Sequence, residues 1–187
     1  MRPLNIKDRF LGKHYPPVLF VVVLVLMLYG CSTTAKHEGM TPLTFEPGTK
    51  HPKTVSINVV GGEEFDGLGR PQISNGALKQ ALADSITKSQ MFSAVIEGMK
   101  SDYFLMITIF SFDQPVFGFS FTVKMEAGWT LKDAVSGETV WQEAIKSENT
   151  ATTEDAFAAR TRLRLAVEGA ARNNISQGLE KISRLNL

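Results

Sequence analysis

The chain has 187 residues, 43% of them hydrophobic and 21% charged, a balance that suits one ordinary globular domain plus a leader. Four of its twenty basic residues but only one of its nineteen acidic residues precede Cys31. The remainder is slightly acidic and, apart from Arg160, Arg162 and Arg164, lacks the basic stripe that binding to nucleic acid needs. With a single cysteine, neither an intramolecular disulfide nor a cysteine-based metal site can form.

Residues 1–17 make a positively charged stretch that ends in Pro16-Pro17, and an uncharged apolar run from Val18 to Leu28 follows. With Tyr29 and Gly30 the run reaches about 13 residues, short of the ~20 that a spanning helix needs and within the range of a cleavable secretory core. It ends in Leu28-Tyr29-Gly30-Cys31. This tetrapeptide resembles the bacterial lipobox: Leu28, Gly30 and Cys31 match, while Tyr29 is larger than the usual occupant. The resemblance implies cleavage before Cys31, a diacylglycerol on its thiol and acylation of its new amino group. Several chains anchor stably where one is marginal. Ser32 stands where an Asp favours retention at the inner membrane, so the resemblance implies the outer membrane, with the protein facing the periplasm.

Residues 31–53 are rich in Ser, Thr, Gly and Pro and show no apolar period, so they read as the lipidated cysteine and a flexible tether. Residues 54–187 read as a single α+β domain. Val55, Ile57 and Val59 alternate with polar residues as a strand does. Ser74 is placed to cap a helix over about 75–90, whose buried face carries Leu78, Leu82 and Ile86. A short strand near Ala94-Val95-Ile96 follows. Tyr103 to Phe112 is apolar on both faces, as in a central strand covered on both sides. From Phe117 to Leu131 every odd position except Ala127 is a large apolar residue, which predicts one long strand with Phe119, Phe121, Val123 and Trp129 on the core side and Phe117 beside the turn, where the core thins. Residues 133–138 form a hairpin connection to a strand over 139–147. Thr152 or Thr153 then caps a long helix, with Glu154 and Asp155 at its N-terminal dipole. The order β-α-β-β-β-β-α predicts a mostly antiparallel sheet of four or five strands with two helices packed on one face.

The layout from Thr54 onward is similar to that of YajG-type lipoproteins and of the auxiliary lipoproteins of ABC-type lipid transporters. It also resembles the N-terminal domain of TolB and the penicillin-binding-protein activator LpoB. The residues that carry the likeness are Met91-Phe92-Ser93-Ala94-Val95, Ser101-Asp102-Tyr103-Phe104-Leu105, and Leu131-Lys132-Asp133 with Gly137-Glu138-Thr139-Val140-Trp141. It implies a non-catalytic accessory or binding domain for an envelope partner or a lipid-transport assembly. It offers no diagnostic functional residue.

The chemistry-bearing residues agree with that reading. The three histidines, His14, His37 and His51, all precede Thr54, which leaves no His-based triad or zinc site within 54–187, and no cofactor is expected. The loop Gly61-Gly62-Glu63-Glu64-Phe65-Asp66-Gly67-Leu68-Gly69 has neither P-loop nor EF-hand spacing and reads as solvated. The alternative reading is a carboxylate-dependent enzyme acting on peptidoglycan or lipid. One feature is unusual: Phe110, Phe112, Phe117, Phe119 and Phe121 lie close together around Asp113-Gln114-Pro115. The plainer expectation is hairpin core. The sharper one is a docking surface for lipid or a partner protein at Phe112, Pro115, Val116 and Phe117.

Overall fold

The computed structural model describes residues 34–98 and 100–187. Leu28, Gly30 and Cys31, with the signal-peptide reading that rests on them, lie outside the described residues. The elements in chain order are α1 (His37–Met40), β1 (His51–Val60), α2 (Asn75–Ser89), β2 (Phe92–Val95), β3 (Tyr103–Asp113), β4 (Phe121–Asp133), β5 (Thr139–Ala151) and α3 (Ala159–Ile182).

The sheet is five-stranded and mixed, in the order β2-β1-β3-β4-β5. β1 runs parallel to both β2 and β3, whereas β3, β4 and β5 form an antiparallel meander. The expectation of a mostly antiparallel sheet therefore fails on one side. β2 pairs with the first half of β1, up to Val55, and β3 pairs with the second half, from Val55 onward. Between them the chain crosses β1 and continues in the same direction instead of turning back. Ser101 holds this crossing by donating its hydroxyl to Ser56 Oγ at 2.8 Å, and Asp102 accepts from Thr54 N at 2.8 Å.

Both long helices follow from their sequences. Ser74 caps α2 by accepting the Ala77 N–H at 3.2 Å, and Leu78, Ala81, Leu82 and Ile86 form its buried face. α3 buries Leu163, Val167, Ala170, Ala171, Ile175, Leu179 and Ile182. Its Gly178 is explained by packing: a Cβ there would lie 2.5 Å from the Trp129 ring. The same indole donates its N–H to Asn174 Oδ1 at 2.9 Å, and the Asn174 amide donates to the Ile145 carbonyl at 2.9 Å. Every polar atom of this buried pair is thus matched, which is the condition for burying polar groups without loss.

α3 begins later than the sequence predicts. β5 continues to Ala151 because Phe121 of β4 still pairs with it there. Thr152 and Asp155 then close a turn on each other, and the helix starts at Ala159 with no side-chain cap. β3 also differs from expectation, because no described helix covers its second face: Phe104 and Met106 are half-buried there, and Phe110 lies across Gly128.

The largest departure is the segment expected to be a tether. Met40 is fully buried, Ala35 and Pro42 are buried, and His51 already opens β1. The segment lies along α3 and is held at successive points. Lys36 N donates to Glu168 Oε1 at 2.9 Å, Arg172 Nη1 donates to the Gly39 carbonyl at 3.1 Å, and Gly48 N donates to Ser183 Oγ at 3.3 Å. Its polar composition hid the few apolar side chains that dock. Burying one methionine side chain contributes about 1.5–3 kcal/mol, which adds to the hydrogen bonds in offsetting the entropy of ordering the segment.

Candidate docking site

β1 and β3 end, β4 begins and β5 ends at the same side of the sheet, so three loops meet there: residues 61–73, 114–120 and 152–158. They carry the exposed apolar side chains Leu68, Val116, Phe117, Phe119 and Phe157. The three phenylalanines keep 87%, 88% and 97% of their surface exposed. At the opposite end, the turn between β4 and β5 exposes Val135.

The loops are tied together by side chains that the core does not need. Arg162 is buried at the start of α3, and its guanidinium donates to the carbonyls of Ala156 (2.9 Å), Phe157 (3.0 Å) and Gly118 (3.3 Å). It also stacks over the Phe121 ring at 5.1 Å from the centroid. One cation therefore binds the loop presenting Phe157 to the loop presenting Phe117 and Phe119. Arg70 does the same on the other flank. Its Nη1 donates to the Gln114 carbonyl at 3.0 Å, while Gln114 Nε2 donates to the Pro71 carbonyl at 2.8 Å.

Two carboxylates here, Asp66 and Asp155, close their own loops. Burial opposes ionisation of Asp66, but the N–H groups of Arg70 and Leu68 and the Arg70 guanidinium outweigh it and hold the carboxyl below its usual range. Asp155 is held down by the N–H and hydroxyl of Thr152. At the far end, Thr54 does the same for Asp102, and the Ser136 and Val135 N–H groups do it for Asp133. These four shifts run opposite to the one a general acid requires. Asp66 is also spent on its own loop, where its largely buried side chain pairs with Arg70. An open cleft of about 750 Å³ has Lys124, Glu126, Lys146 and Glu148 on its walls, and Lys146 pairs with Glu126 at 3.6 Å. Among the described residues no group of three or more His, Cys, Asp or Glu gathers as a metal site would need, and no helix is long and apolar enough to cross a membrane.

Of the residues singled out in the sequence, Val116 and Phe117 are exposed at this end, Pro115 is half-buried beside them, and Phe112 is not with them. A register shift between Ile109 and Ser111 turns Phe112 toward the helices, opposite Met125 and against the core. Phe119, expected in the core, is exposed. Phe157 was hidden inside an expected helix, and Arg162 among three arginines at alternate positions. Only the end of the strand pairing distinguishes them.

No family model matches the chain, and no curated protein matches it. Among solved structures, a Xanthomonas campestris protein of the family model DUF330 is similar with a TM-score of 0.54 at 15% identity, over 80% of this chain and 91% of that one. A hypothetical protein from Chlamydia trachomatis is similar with a TM-score of 0.51 at 7% identity, over 71% of this chain and 96% of its own. A minor lipoprotein from Acinetobacter baumannii gives 0.43 at 10% identity, over 70% and 92%, too distant to bear on this chain. What the first two likenesses establish is the fold: these bacterial proteins share this α+β arrangement over most of their length.

Proposed function

We propose that the chain is a lipoprotein, anchored at the outer membrane through acyl chains on Cys31. Its domain is a non-catalytic binding module for an envelope partner or a lipid-transport assembly. The observation that carries the anchoring is Leu28-Tyr29-Gly30-Cys31 at the end of an apolar run too short to span a bilayer. The binding role is supported by the exposed phenylalanines on loops that Arg162 and Arg70 hold in place. The non-catalytic reading is supported by Asp66 and Asp155, which close turns with hydrogen bonds that favour their ionised form.

Intact-mass analysis of protein extracted from membranes tests the anchoring. The expected result is an acylated N-terminus at Cys31, and an uncleaved precursor for Cys31→Ser. A chain that still begins at an unmodified Met1 contradicts it.

A further inference from the structure

The described N-terminal segment has a direction. Lys36 is held at Glu168, Gly39 at Arg172 and Gly48 at Ser183, so the segment runs alongside α3 in the same sense as the helix. Followed upstream, it heads toward the N-terminal end of α3, where Arg162 gathers the loops carrying Phe117, Phe119 and Phe157. Lengths agree with this. From Glu168 to Ala159 the helix covers about 14 Å at its rise per residue. From Lys36 back to Cys31 are five residues, which extended reach about 17 Å. That span bounds how far an anchor at Cys31 can stand from Lys36, and it exceeds the distance from Glu168 to the start of α3. An anchor at Cys31 would keep Lys36 within about 17 Å of the bilayer, and Lys36 lies nearer the start of α3 than its end.

We propose, resting on the Cys31 anchoring above, that the aromatic end is a membrane-contacting surface. Val116, Phe117, Phe119 and Phe157 enter the interfacial layer of the same bilayer that holds the lipid on Cys31. The occupant is the lipid surface itself. The side chains are apolar and stand clear of the domain, and burial of such side chains among acyl chains is what holds interfacial proteins at this depth. The exposed charges of these loops and of the start of α3 are mostly acidic, Glu63, Glu64, Glu154 and Asp155 against Arg160, so anionic lipid adds no attraction. Contact is therefore driven by apolar burial and depends little on anionic lipid.

The test uses the full, acylated chain in vesicles of dioleoylphosphatidylcholine. Cys31 is the chain's one cysteine, and a thioether there leaves an introduced cysteine as the sole free thiol. An environment-sensitive fluorophore is attached at Phe119→Cys or, as the control at the opposite end, at Val135→Cys. Both side chains are largely exposed, so neither change disturbs the core. The expected result is a blue-shifted emission at position 119, quenched several-fold by shallow spin-labelled lipid, with neither effect at 135. Adding a quarter of phosphatidylglycerol leaves the quenching within about two-fold. A label at 119 that stays wet in the acylated, vesicle-bound protein overturns the proposal and leaves the anchoring intact. A blue shift that grows with protein concentration without lipid quenching also overturns it, and assigns this end to contact between copies. A chain whose intact mass shows no acyl group sinks both readings.

Discussion

Phe119 and Phe121 are two residues apart in one alternating run, and they have opposite environments. Phe121 retains 4% of its surface and packs under Arg162, while Phe119 is almost wholly exposed. Nothing in the side chains separates them. The difference lies in the backbone's neighbours: Phe121 pairs with Ala151, the last residue of β5, and before it the strand has no partner on that side. Alternation states which face a residue would take inside a sheet. Whether the sheet is still there depends on how far two other strands extend.

The largest test of this contrast is Phe121→Ala. It should lower stability by about 3–5 kcal/mol, the usual cost of emptying a buried aromatic site, read as a fall in the urea midpoint. A variant as stable as the parent would place Phe121 with Phe119 and erase the boundary.

A smaller effect should come from the loop beyond β5. The folded domain holds the Asp155 carboxyl below its ordinary value of 3.8 through the Thr152 N–H and hydroxyl. A depressed carboxyl contributes stability at pH above that ordinary value and loses it as pH falls through the lower folded value. Asp155→Asn should therefore melt below the parent at pH 6, and the gap should close below pH 3.8. A gap that is the same at pH 6 and at about pH 2.5 would show that the charge does not close this turn.

The smallest expected effect is the most telling. Phe119→Ala should change stability by no more than about 0.5 kcal/mol, as surface substitutions do. A loss of several kcal/mol in the same urea titration would return Phe119 to the core.

Local signals were legible where one element answers to its own residues. Ser74 marks the start of α2, and residues 133–138 mark the β4–β5 turn, because caps and tight turns are set within a few positions. What could not be read depends on distant partners. The short stretch between β2 and β3 resembles a hairpin connection, yet β1 lies between the two strands and makes them parallel. Thr152, Glu154 and Asp155 have the composition of a helix start, but β5 runs on to Ala151 and displaces the helix to Ala159. Residues 34–50 are polar enough to pass for a linker, and only the apposed faces of α2 and α3 give Met40 a place to bury. At the candidate site, Val116 and Phe117 could be suspected from their closeness to Pro115. Phe157 and Arg162 could not, because their role arises from two loops meeting in space.

The course of the N-terminal segment along α3 has a mechanical consequence. If the chain is held through Cys31 as proposed, a pull directed along α3 draws residues 35–48 lengthwise past the helix, because segment and helix point the same way. The hydrogen bonds at Glu168, Arg172 and Ser183 then share the load in shear and must yield together. A pull across the helix would instead peel them away one after another. The proposed anchor would therefore load the segment in its stronger direction only while the pull stays along α3.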